Sequence, residues 1–393
     1  MRILQIITVP FFTPRGTAFS SLDRTRALVE LGHEVDILTY HLGEDVELPR
    51  VSIYRTPHVP LIRQLKMGPS LPKLFLDCLL ALKTACWLWR HGPYDMVHVH
   101  EESSWWMAGL RWLYSGPVLY DMHSSLAEQL VSFGYREQAI VTRTFRWLER
   151  RALQRSQAVI VICPAIGEHV GRVTPEKPTV LIENMPVGWE TPNPTDDDIA
   201  VVRSQFDLEG RRVLLYTGSF GENQGVELAV DAVKFVRTQF PDVAGLFVGG
   251  VGRDLARVEA YVAQRGLQDV IRLPGPRDPR KMPAFLRAAE VLLSPRLRGT
   301  NTPLKIYSYM ASGRPIVATD LSTHTQVLNN DTAELVAPAA EALADGIIRL
   351  LNDPEHASRL AANALAKATE EYAFPVYVEK VAQAISLAIS GRR

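Results

Sequence analysis

Apolar runs alternate along the chain with segments that repeat at helical spacing. The first run, RILQIITV, is short and uninterrupted, as expected of a strand buried on both faces. The segment GTAFSSLDRTRALVELG follows and places its apolar residues on one side of a helix. The next run, HEVDILTY, reads as a second strand. Strands separated by helices predict a parallel sheet that is covered on both faces.

The alternation stops once and then restarts, which predicts two domains. The first half continues with DMVHVH, PVLYDMH and AVIVIC, and then meets ENMPVGWETPNPTDDDIA, a linker of about 184–200 rich in Pro, Asn and Asp. The second half runs through RVLLYTG, AGLFVGG, VIRLPG, VLLSP and PIVATD. We therefore expect two doubly wound α/β domains, 1–190 and 200–370, followed by a last helical segment, 371–393.

Composition and charge narrow the class of protein. A chain of 393 residues is too long for one ordinary core, which also favours two domains. Lysine plus arginine and aspartate plus glutamate both number 43, so no nucleic-acid partner is indicated. The three cysteines have no zinc or CxxC spacing, and we expect them to be small buried residues of a cytoplasmic protein. The start of the chain reads as a strand rather than a secretory signal.

The segment 60–92 differs from the rest of the first half. Five Lys or Arg residues lie among many leucines and two tryptophans, and Asp77 is its only acid. Cationic amphipathic segments with tryptophan bind anionic lipid surfaces, which predicts a peripheral contact with the inner face of a membrane. The alternative is a core helix whose cations extend to the solvent.

Two loops that follow predicted strands contain glycine immediately before a helix. Gly16 would allow a ligand to approach the backbone, although a purely structural loop explains it equally well. In the second half, Gly218, Gly221 and Gly225 would let the turn after RVLLYTG fold closely over a ligand. Neither loop matches GxGxxG, so no nicotinamide dinucleotide site is indicated.

Histidines and acids end two neighbouring strands of the first half. Asp121 and His123 close one strand, where His123 could act as a donor or an acid–base group, or simply be structural. His98, His100, Glu101 and Glu102 end the other strand and could bind a metal by their spacing. Ligands on opposite faces of one strand would argue against such a site, and we therefore predict no metal here.

The stretch SPRLRGTNTPLKIYSYM contains the clearest candidate for an anion site. Thr302 is positioned to cap a helix, with Pro303 as its first residue. Lys305 then falls in the first turn and Arg296 at the end of the preceding strand. Cations at this end oppose the helix dipole, so their presence favours a bound anion such as a diphosphate over a solvated basic loop.

Taken in order, these segments resemble the GT-B-fold glycosyltransferases of glycosyltransferase family four. The resemblance implies two Rossmann-like domains facing across a cleft, with the last helix crossing back to the first domain. It also implies transfer of a sugar from a nucleotide diphosphosugar, a UDP- or GDP-sugar, with retention of configuration. The acceptor would be a saccharide or a lipid-linked molecule, as in envelope, exopolysaccharide or glycolipid synthesis. No metal or other cofactor would be needed.

The resemblance also suggests roles for individual residues. Gly16 matches the loop that faces the donor phosphate, and His123 matches the histidine that reaches the transferred sugar. One further loop matches the segment whose amides hold the sugar and phosphate; its residues are Asn301, Thr302, Pro303, Leu304 and Lys305.

Four positions depart from the family pattern. Thr300 and Ser308 stand where relatives carry the two glutamates of E-x(7)-E. Ser219 and Gln224 stand where relatives carry an arginine and a lysine that bind the diphosphate beside Gly218.

Three readings of the sequence are open at this point. Arg296 and Lys305 could restore the missing positive charge, with Thr300 and Asn301 retained near the sugar. Alternatively, the chain could be an inactive homologue that binds a sugar nucleotide or a partner transferase. A phosphorylase or an epimerase of the same fold is a third reading.

Overall fold

The computed structural model describes residues 1–13, 16–65, 70–128 and 139–391. The chain divides into two compact units, of which the first joins Met1–Glu183 to Phe374–Arg393 and the second is Asn184–Ala373. Within the described residues, no helix is both long enough and apolar enough to cross a bilayer.

The first unit contains a parallel sheet of seven strands. The strands are β1 (Arg2–Ile7), β2 (Glu34–Thr39), β3 (Val51–Arg55), β4 (Met96–His100), β5 (Val118–Met122), β6 (Ala158–Val161) and β7 (Thr179–Leu181). Their order across the sheet is β3-β2-β1-β4-β5-β6-β7, so the direction of strand addition reverses between β1 and β4.

Helices cover both faces of this sheet, as the apolar pattern predicts. The helices within the first stretch of the unit are α1 (Thr17–Glu30), α2 (Leu71–His91), α3 (Ser103–Gly109), α4 (Ile140–Arg155) and α5 (Pro164–Val173). Residues of α2, α3, α4 and α5 share one apolar core, which places these four helices on the same face. Right-handed crossovers place α1, whose connection runs the other way, on the opposite face.

The second unit repeats this plan with a parallel sheet of six strands. The strands are β8 (Arg212–Gly218), β9 (Val243–Gly249), β10 (Ile271–Gly275), β11 (Val291–Ser294), β12 (Ile316–Thr319) and β13 (Glu334–Val336). Their order is β10-β9-β8-β11-β12-β13, and it reverses between β8 and β11.

Eight helices accompany these strands in the described part of the second unit. They are α6 (Asp196–Gln205), α7 (Val226–Val236), α8 (Gly252–Gln264), α9 (Met282–Arg287), α10 (Lys305–Ala311), α11 (Ser322–Thr325), α12 (Ala340–Asn352) and α13 (Pro354–Glu371). The last helix, α14 (Phe374–Ser390), belongs to the first unit, where it packs against α1 and β6.

Some elements differ from the sequence-based expectation. Thr195 and Asp198 form a capping box that starts α6 inside the predicted linker. The strands β7 and β13 have only three residues each, too few to show an apolar period. Cys163 is buried as expected, but Cys78 and Cys86 are exposed because they lie on the outward side of α2.

Candidate functional site

Two loops of the second unit lie against each other where the strand order reverses. Gly225, in the loop after β8, has φ of 67°, and a Cβ there would lie 1.9 Å from the carbonyl oxygen of Pro295. The amide of Leu297 donates to the carbonyl of Asn223 at 3.0 Å. The predicted glycine-rich turn and the predicted basic loop therefore form one surface at the carboxyl ends of the strands, which is where α/β sheets bind ligands.

Lys305 brings its positive charge to this surface without an acid to balance it. Its Nζ lies 3.6 Å from the centre of the Tyr216 ring and 3.4 Å from where a Cβ on Gly218 would be. Among the described residues, no carboxylate is close enough to pair with this ammonium. Burial, together with the nearby charge of Arg296, lowers the pKa of Lys305 well below its ordinary value. An anion bound beside Lys305 would offset both the loss of solvation and the repulsion from Arg296.

Arg296 has a structural task that the sequence did not indicate. Its Nε donates to the carbonyl of Arg298 at 3.0 Å and its Nη1 to the carbonyl of Asn301 at 2.9 Å. A Cβ on Gly299 would collide with the guanidinium, so the loop closes around this side chain. A guanidinium has five N–H donors, and the two bonds to this loop leave others for a ligand. Burial lowers the pKa of Arg296.

The start of the following helix corrects our prediction for Thr302 and Pro303. Helix α10 begins at Lys305, with Leu304 at the cap position and no side-chain cap. Thr302 is buried, and its hydroxyl has no hydrogen-bond partner among the described residues. The carbonyl of Pro303 accepts from the amide of Ile306 at 3.0 Å, which forms a turn before the helix. With only seven residues, α10 has a small dipole, so the positive charge at the site comes mainly from side chains.

Thr300 and Ser308, the two positions at which the resemblance predicts missing glutamates, have different surroundings. Thr300 is exposed and its hydroxyl donates to Oδ1 of Asn301 at 3.1 Å. Ser308 is buried, and its Oγ accepts from the amide of Val187 at 2.8 Å. The Ser308 hydroxyl thus holds the start of the second unit, whereas Thr300 and Asn301 are accessible to a ligand.

Ser219 and Gln224 both lie in the glycine-rich turn that follows β8. Ser219 is exposed, and its carbonyl accepts from the hydroxyl of Tyr216 at 2.6 Å. Gln224 ends a short 3₁₀ turn and is partly exposed. Sequence reasoning missed Tyr216, whose signal was an aromatic residue two positions before the first glycine of the turn.

His324 is a second residue that the sequence did not single out. Its Nε2 lies 2.8 Å from Oγ of Ser294, and its Nδ1 lies 2.7 Å from the carbonyl oxygen of Thr319. Burial lowers the pKa of His324 to about 4, so the ring is neutral near pH 7. A neutral ring supports the end of β11 without adding a third charge near Lys305.

The first unit buries an ion pair under the carboxyl ends of its strands. Arg24 of α1 donates through Nε to Oδ2 of Asp121 at 2.9 Å and through Nη2 to the carbonyl of Ile182 at 2.9 Å. The guanidinium lies 4.8 Å from the centre of the Tyr377 ring in α14. Burial opposes ionisation of Asp121, but Arg24 together with the neighbouring His123 and His98 holds the pKa of this carboxyl well below its ordinary value. The sequence indicated Asp121 but not its partner.

Three histidines surround the same carboxylate. Nε2 of His123, the residue that follows β5, lies 3.2 Å from Oδ1 of Asp121. Our expectation for His98 and His100 was wrong, because residues two apart in a strand share a face, and both are buried beside Asp121. The ligand atoms of these two histidines and Asp121 lie within 4.8 Å of one another, as a metal site requires. Oδ2 of Asp121 already accepts a hydrogen bond from Arg24, so we interpret this carboxylate as the partner of the guanidinium rather than as a metal ligand.

Gly16 occupies the cap position of α1. Its φ is 47°, and no atom lies within 4 Å of where its Cβ would be. The preceding residues 14–15 lie outside the described part of the chain. Open space at the start of a helix of 14 residues is compatible with an anion, and the role implied for Gly16 stays a prediction.

Comparison with known protein families gives consistent matches to both halves of the chain. Residues 14–185 match the family described as Glycosyltransferase Family 4, and residues 211–353 match the one described as Glycosyl transferases group 1.

Relatives of known activity cover most of the chain at low identity. The phosphatidyl-myo-inositol mannosyltransferase of Mycolicibacterium smegmatis is 25% identical over 94% of this chain and 89% of its own length. The alpha-D-kanosaminyltransferase of Streptomyces kanamyceticus is 24% identical over 73% of this chain and 75% of its own.

Solved structures show the fold. Sucrose-phosphate synthase from Thermosynechococcus elongatus superposes with a TM-score of 0.81 at 23% identity, covering 98% of both chains. HepE of Anabaena, in complex with UDP-glucose, superposes with a TM-score of 0.73 at 15% identity, covering 98% of this chain and 99% of its own. With both halves matched in order and two parallel sheets of Rossmann type, the chain belongs to the family-four glycosyltransferases, enzymes of the GT-B fold.

Proposed function

We propose that this enzyme transfers a sugar from a nucleotide diphosphosugar to a saccharide or lipid-linked acceptor, with retention of configuration and without a metal. The observation that carries the donor class is the ammonium of Lys305, which lies at the strand ends with no carboxylate partner among the described residues. Retention remains an implication of the family resemblance.

A partly buried cation without a carboxylate partner is costly, and a diphosphate would provide the missing negative charge. Lys305 and Arg296 together can neutralise the two negative charges of a diphosphosugar. Ser219 and Gln224 stand where the resemblance places the family's arginine and lysine. Arg296 of the neighbouring loop and Lys305 of α10 would bind the diphosphate in their place. UDP and GDP sugars both fit this requirement, because the diphosphate is common to them.

The reaction itself is a balanced exchange of two C–O bonds. The bond from the anomeric carbon to the diphosphate oxygen breaks, and a bond to the acceptor oxygen forms on the same face of the sugar. The acceptor proton moves to the leaving diphosphate oxygen, so no enzymic base is required. Lys305 and Arg296 would stabilise the charge that develops on the leaving group. Thr300 and Asn301 could donate to sugar hydroxyls, and the role of His123 at the transferred sugar remains part of the proposal.

The names of the relatives include a lipid acceptor and a small water-soluble acceptor, an aminocyclitol. One relative is named for a phosphatidyl-myo-inositol acceptor and another, 26% identical, is named a 2-deoxystreptamine glucosyltransferase. WaaG, which superposes with a TM-score of 0.74, is described as taking part in lipopolysaccharide biosynthesis. We therefore include envelope, exopolysaccharide or glycolipid synthesis in the proposal. A cytoplasmic location with peripheral membrane contact through 60–92 is also included; residues 66–69 of that segment lie outside the described residues.

A donor screen followed by product analysis tests this function. A true donor among UDP-, GDP- and ADP-sugars should raise the melting temperature, because it binds the folded state. Proton NMR of the product would then show whether the anomeric configuration of the donor is kept. Inversion would contradict retention. Donor binding with neither transfer nor hydrolysis would indicate the inactive homologue instead.

Two substitutions test the cations directly. Lys305→Ala and Arg296→Ala should each lower kcat/KM by at least about tenfold, since each removes a charge-assisted contact to the diphosphate. Lys234→Ala, which removes an exposed lysine from α7, is the matched control. Wild-type rate and donor affinity in both site variants would refute the replacement of the missing cations.

A further inference from the structure

Three helices of the first unit present their outer sides from one face of the sheet. Helix α3 packs against both α2 and α4, and the ring of Trp105 in α3 lies 5.1 Å from that of Phe145 in α4. The three helices also contribute to the same core. Their outward sides therefore belong to one continuous side of the unit.

The outward side of α2 is apolar. Leu71, Leu74, Leu82 and Trp89 recur at helical spacing and are between 59% and 82% exposed. The two exposed cysteines of α2 share this side with them. The one acid of the helix, Asp77, is turned inward, where it accepts from Lys73 and from the hydroxyl of Tyr40. A stripe of this length is larger than the scattered apolar residues of an ordinary surface.

The outward side of α4 carries a row of cations. Exposed arginines recur at helical spacing along it: Arg143, Arg146, Arg150, Arg151 and Arg155. The one acid of this helix, Glu149, is buried and lies 2.6 Å from Nε2 of His169. Apart from Arg146, these arginines form no ion pair with a described carboxylate. No exposed acid of α2 or α4 balances them.

Tryptophan concentrates on the same side. The three tryptophans that are more than half exposed are Trp89 of α2, Trp147 of α4 and Trp112, which lies in the turn Leu110–Trp112 after α3. The guanidinium of Arg151 lies 5.4 Å from the centre of the Trp147 ring. Tryptophan beside arginine is typical of surfaces that rest in the headgroup region of a bilayer.

A cavity of about 340 Å³ lies against the arginine row. Its lining includes Arg146 and Arg150 of α4 and Arg172 of α5. Glu128 and Glu149 also line it, but His169 lies within 2.9 Å of both carboxylates. The cavity therefore offers room for a phosphate headgroup next to arginines.

We propose that α2, the turn Leu110–Trp112 and α4 form one docking face for an anionic phospholipid bilayer. The apolar stripe of α2 would enter the headgroup region, and the arginines of α4 would pair with lipid phosphates. This inference rests on the proposed function, because a lipid-linked acceptor would be met at such a surface. It also extends the predicted contact beyond 60–92, since α4 supplies most of the positive charge.

Vesicle sedimentation of the full chain tests the docking face. The wild type should bind phosphatidylcholine vesicles weakly and mixed phosphatidylcholine–phosphatidylglycerol vesicles strongly, with affinity falling as salt rises. The triple variant Arg143→Gln, Arg150→Gln, Arg151→Gln should bind the mixed vesicles roughly a hundredfold more weakly. The double variant Leu74→Ser, Trp89→Ser should lose at least about tenfold on both kinds of vesicle.

The matched control removes three exposed cations from the second unit. The variant Lys234→Gln, Arg237→Gln, Arg253→Gln lowers the net charge equally and should bind vesicles as the wild type does. Equal losses in both triple variants would overturn the inference, as would equal wild-type binding to both vesicles. Self-association through this face without vesicle binding, seen by analytical ultracentrifugation, would also overturn it in favour of a second copy.

Donor binding separates this inference from the proposed function. All of these variants should keep the wild-type rise in melting temperature with the sugar nucleotide. A protein that binds the donor but no vesicles would refute only the docking face. A protein that binds vesicles but no sugar nucleotide would refute the proposed function.

Discussion

Arg24 in the first unit and Lys305 in the second both bring a positive charge beneath the carboxyl ends of parallel strands. Arg24 meets Asp121 at 2.9 Å in a fully buried pair. Lys305 meets the face of Tyr216 and no described carboxylate. Removing one partner of such a buried pair strongly destabilises a fold, whereas an unpaired cation costs free energy until an anion arrives. The difference separates a structural cation from a ligand-binding one.

The largest effect should follow from breaking the balanced pair. Arg24→Met leaves Asp121 buried without its main cation and should lower the free energy of unfolding by about 3–5 kcal/mol. Urea denaturation would measure this change. Arg26→Met is the control, because Arg26 pairs with Asp23 in a partly exposed position. We expect the control to lose about 1 kcal/mol or less. Similar losses in the two variants would remove the contrast on which the comparison rests.

Lys305→Met should show the opposite pattern. Stability should stay the same or rise slightly, because an unpaired ammonium is removed from a partly buried position. Affinity for the sugar nucleotide should fall by about 2–3 kcal/mol, the usual contribution of a hydrogen bond from a charged group. Denaturation and calorimetry would measure the two quantities, with Lys234→Met as the control. A destabilisation as large as that of Arg24→Met would show that Lys305 is structural.

The pH dependence of donor binding sharpens the same contrast. Burial and the charge of Arg296 lower the pKa of Lys305 in the free enzyme, and a bound diphosphate would raise it. Binding should then take up a proton. Affinity for the donor should be highest at pH values below the pKa of Lys305 in the free enzyme. It should fall by at most about tenfold per pH unit as pH rises from that pKa towards the pKa of Lys305 in the complex.

Calorimetry in buffers of different ionisation enthalpy would count this proton. The groups that face Lys305 are Tyr216 of β8, Arg296 of the preceding loop and the more distant His324 of α11. His324 is neutral above about pH 4, and burial raises the pKa of the Tyr216 hydroxyl well above its ordinary value. Lys305→Arg should abolish the uptake while keeping the charge. Uptake that persists in this variant would assign the proton to another group.

The smallest effect concerns a neighbour of Lys305 on the same helix. Ser308→Ala removes the acceptor of the Val187 amide and should lower stability by about 1 kcal/mol. Donor affinity should not change, because the hydroxyl already has a partner. A loss of donor affinity without a loss of stability would place Ser308 at the nucleotide, where the family glutamate would bind the ribose.

The element order and most strand positions could be predicted, because strands buried on both faces read as apolar runs. The start of α10 could not be predicted, since Thr302 and Pro303 satisfy the rules for a helix start but are used in a buried turn. The short strands β7 and β13 carry too few residues to be recognised.

The sequence predicts the residues of the site better than the contacts between them. Gly218 and Lys305 were expected at one anion site, and the structure brings them together. The pairing of Arg24 with Asp121 was missed, because 97 residues separate the partners and neither segment indicates the other. The same holds for Tyr216 beneath Lys305.

The sequence by itself determined the family and the two α/β halves, and it predicts that charged residues of the family are missing at Ser219, Gln224, Thr300 and Ser308. These properties are local, since each depends on residue type and spacing along the chain. Only the tertiary structure decided which cations have a carboxylate partner and which apolar side chains stay exposed to solvent. Both depend on partners distant in sequence, and the free energy of a charge is set by those neighbours and by its burial.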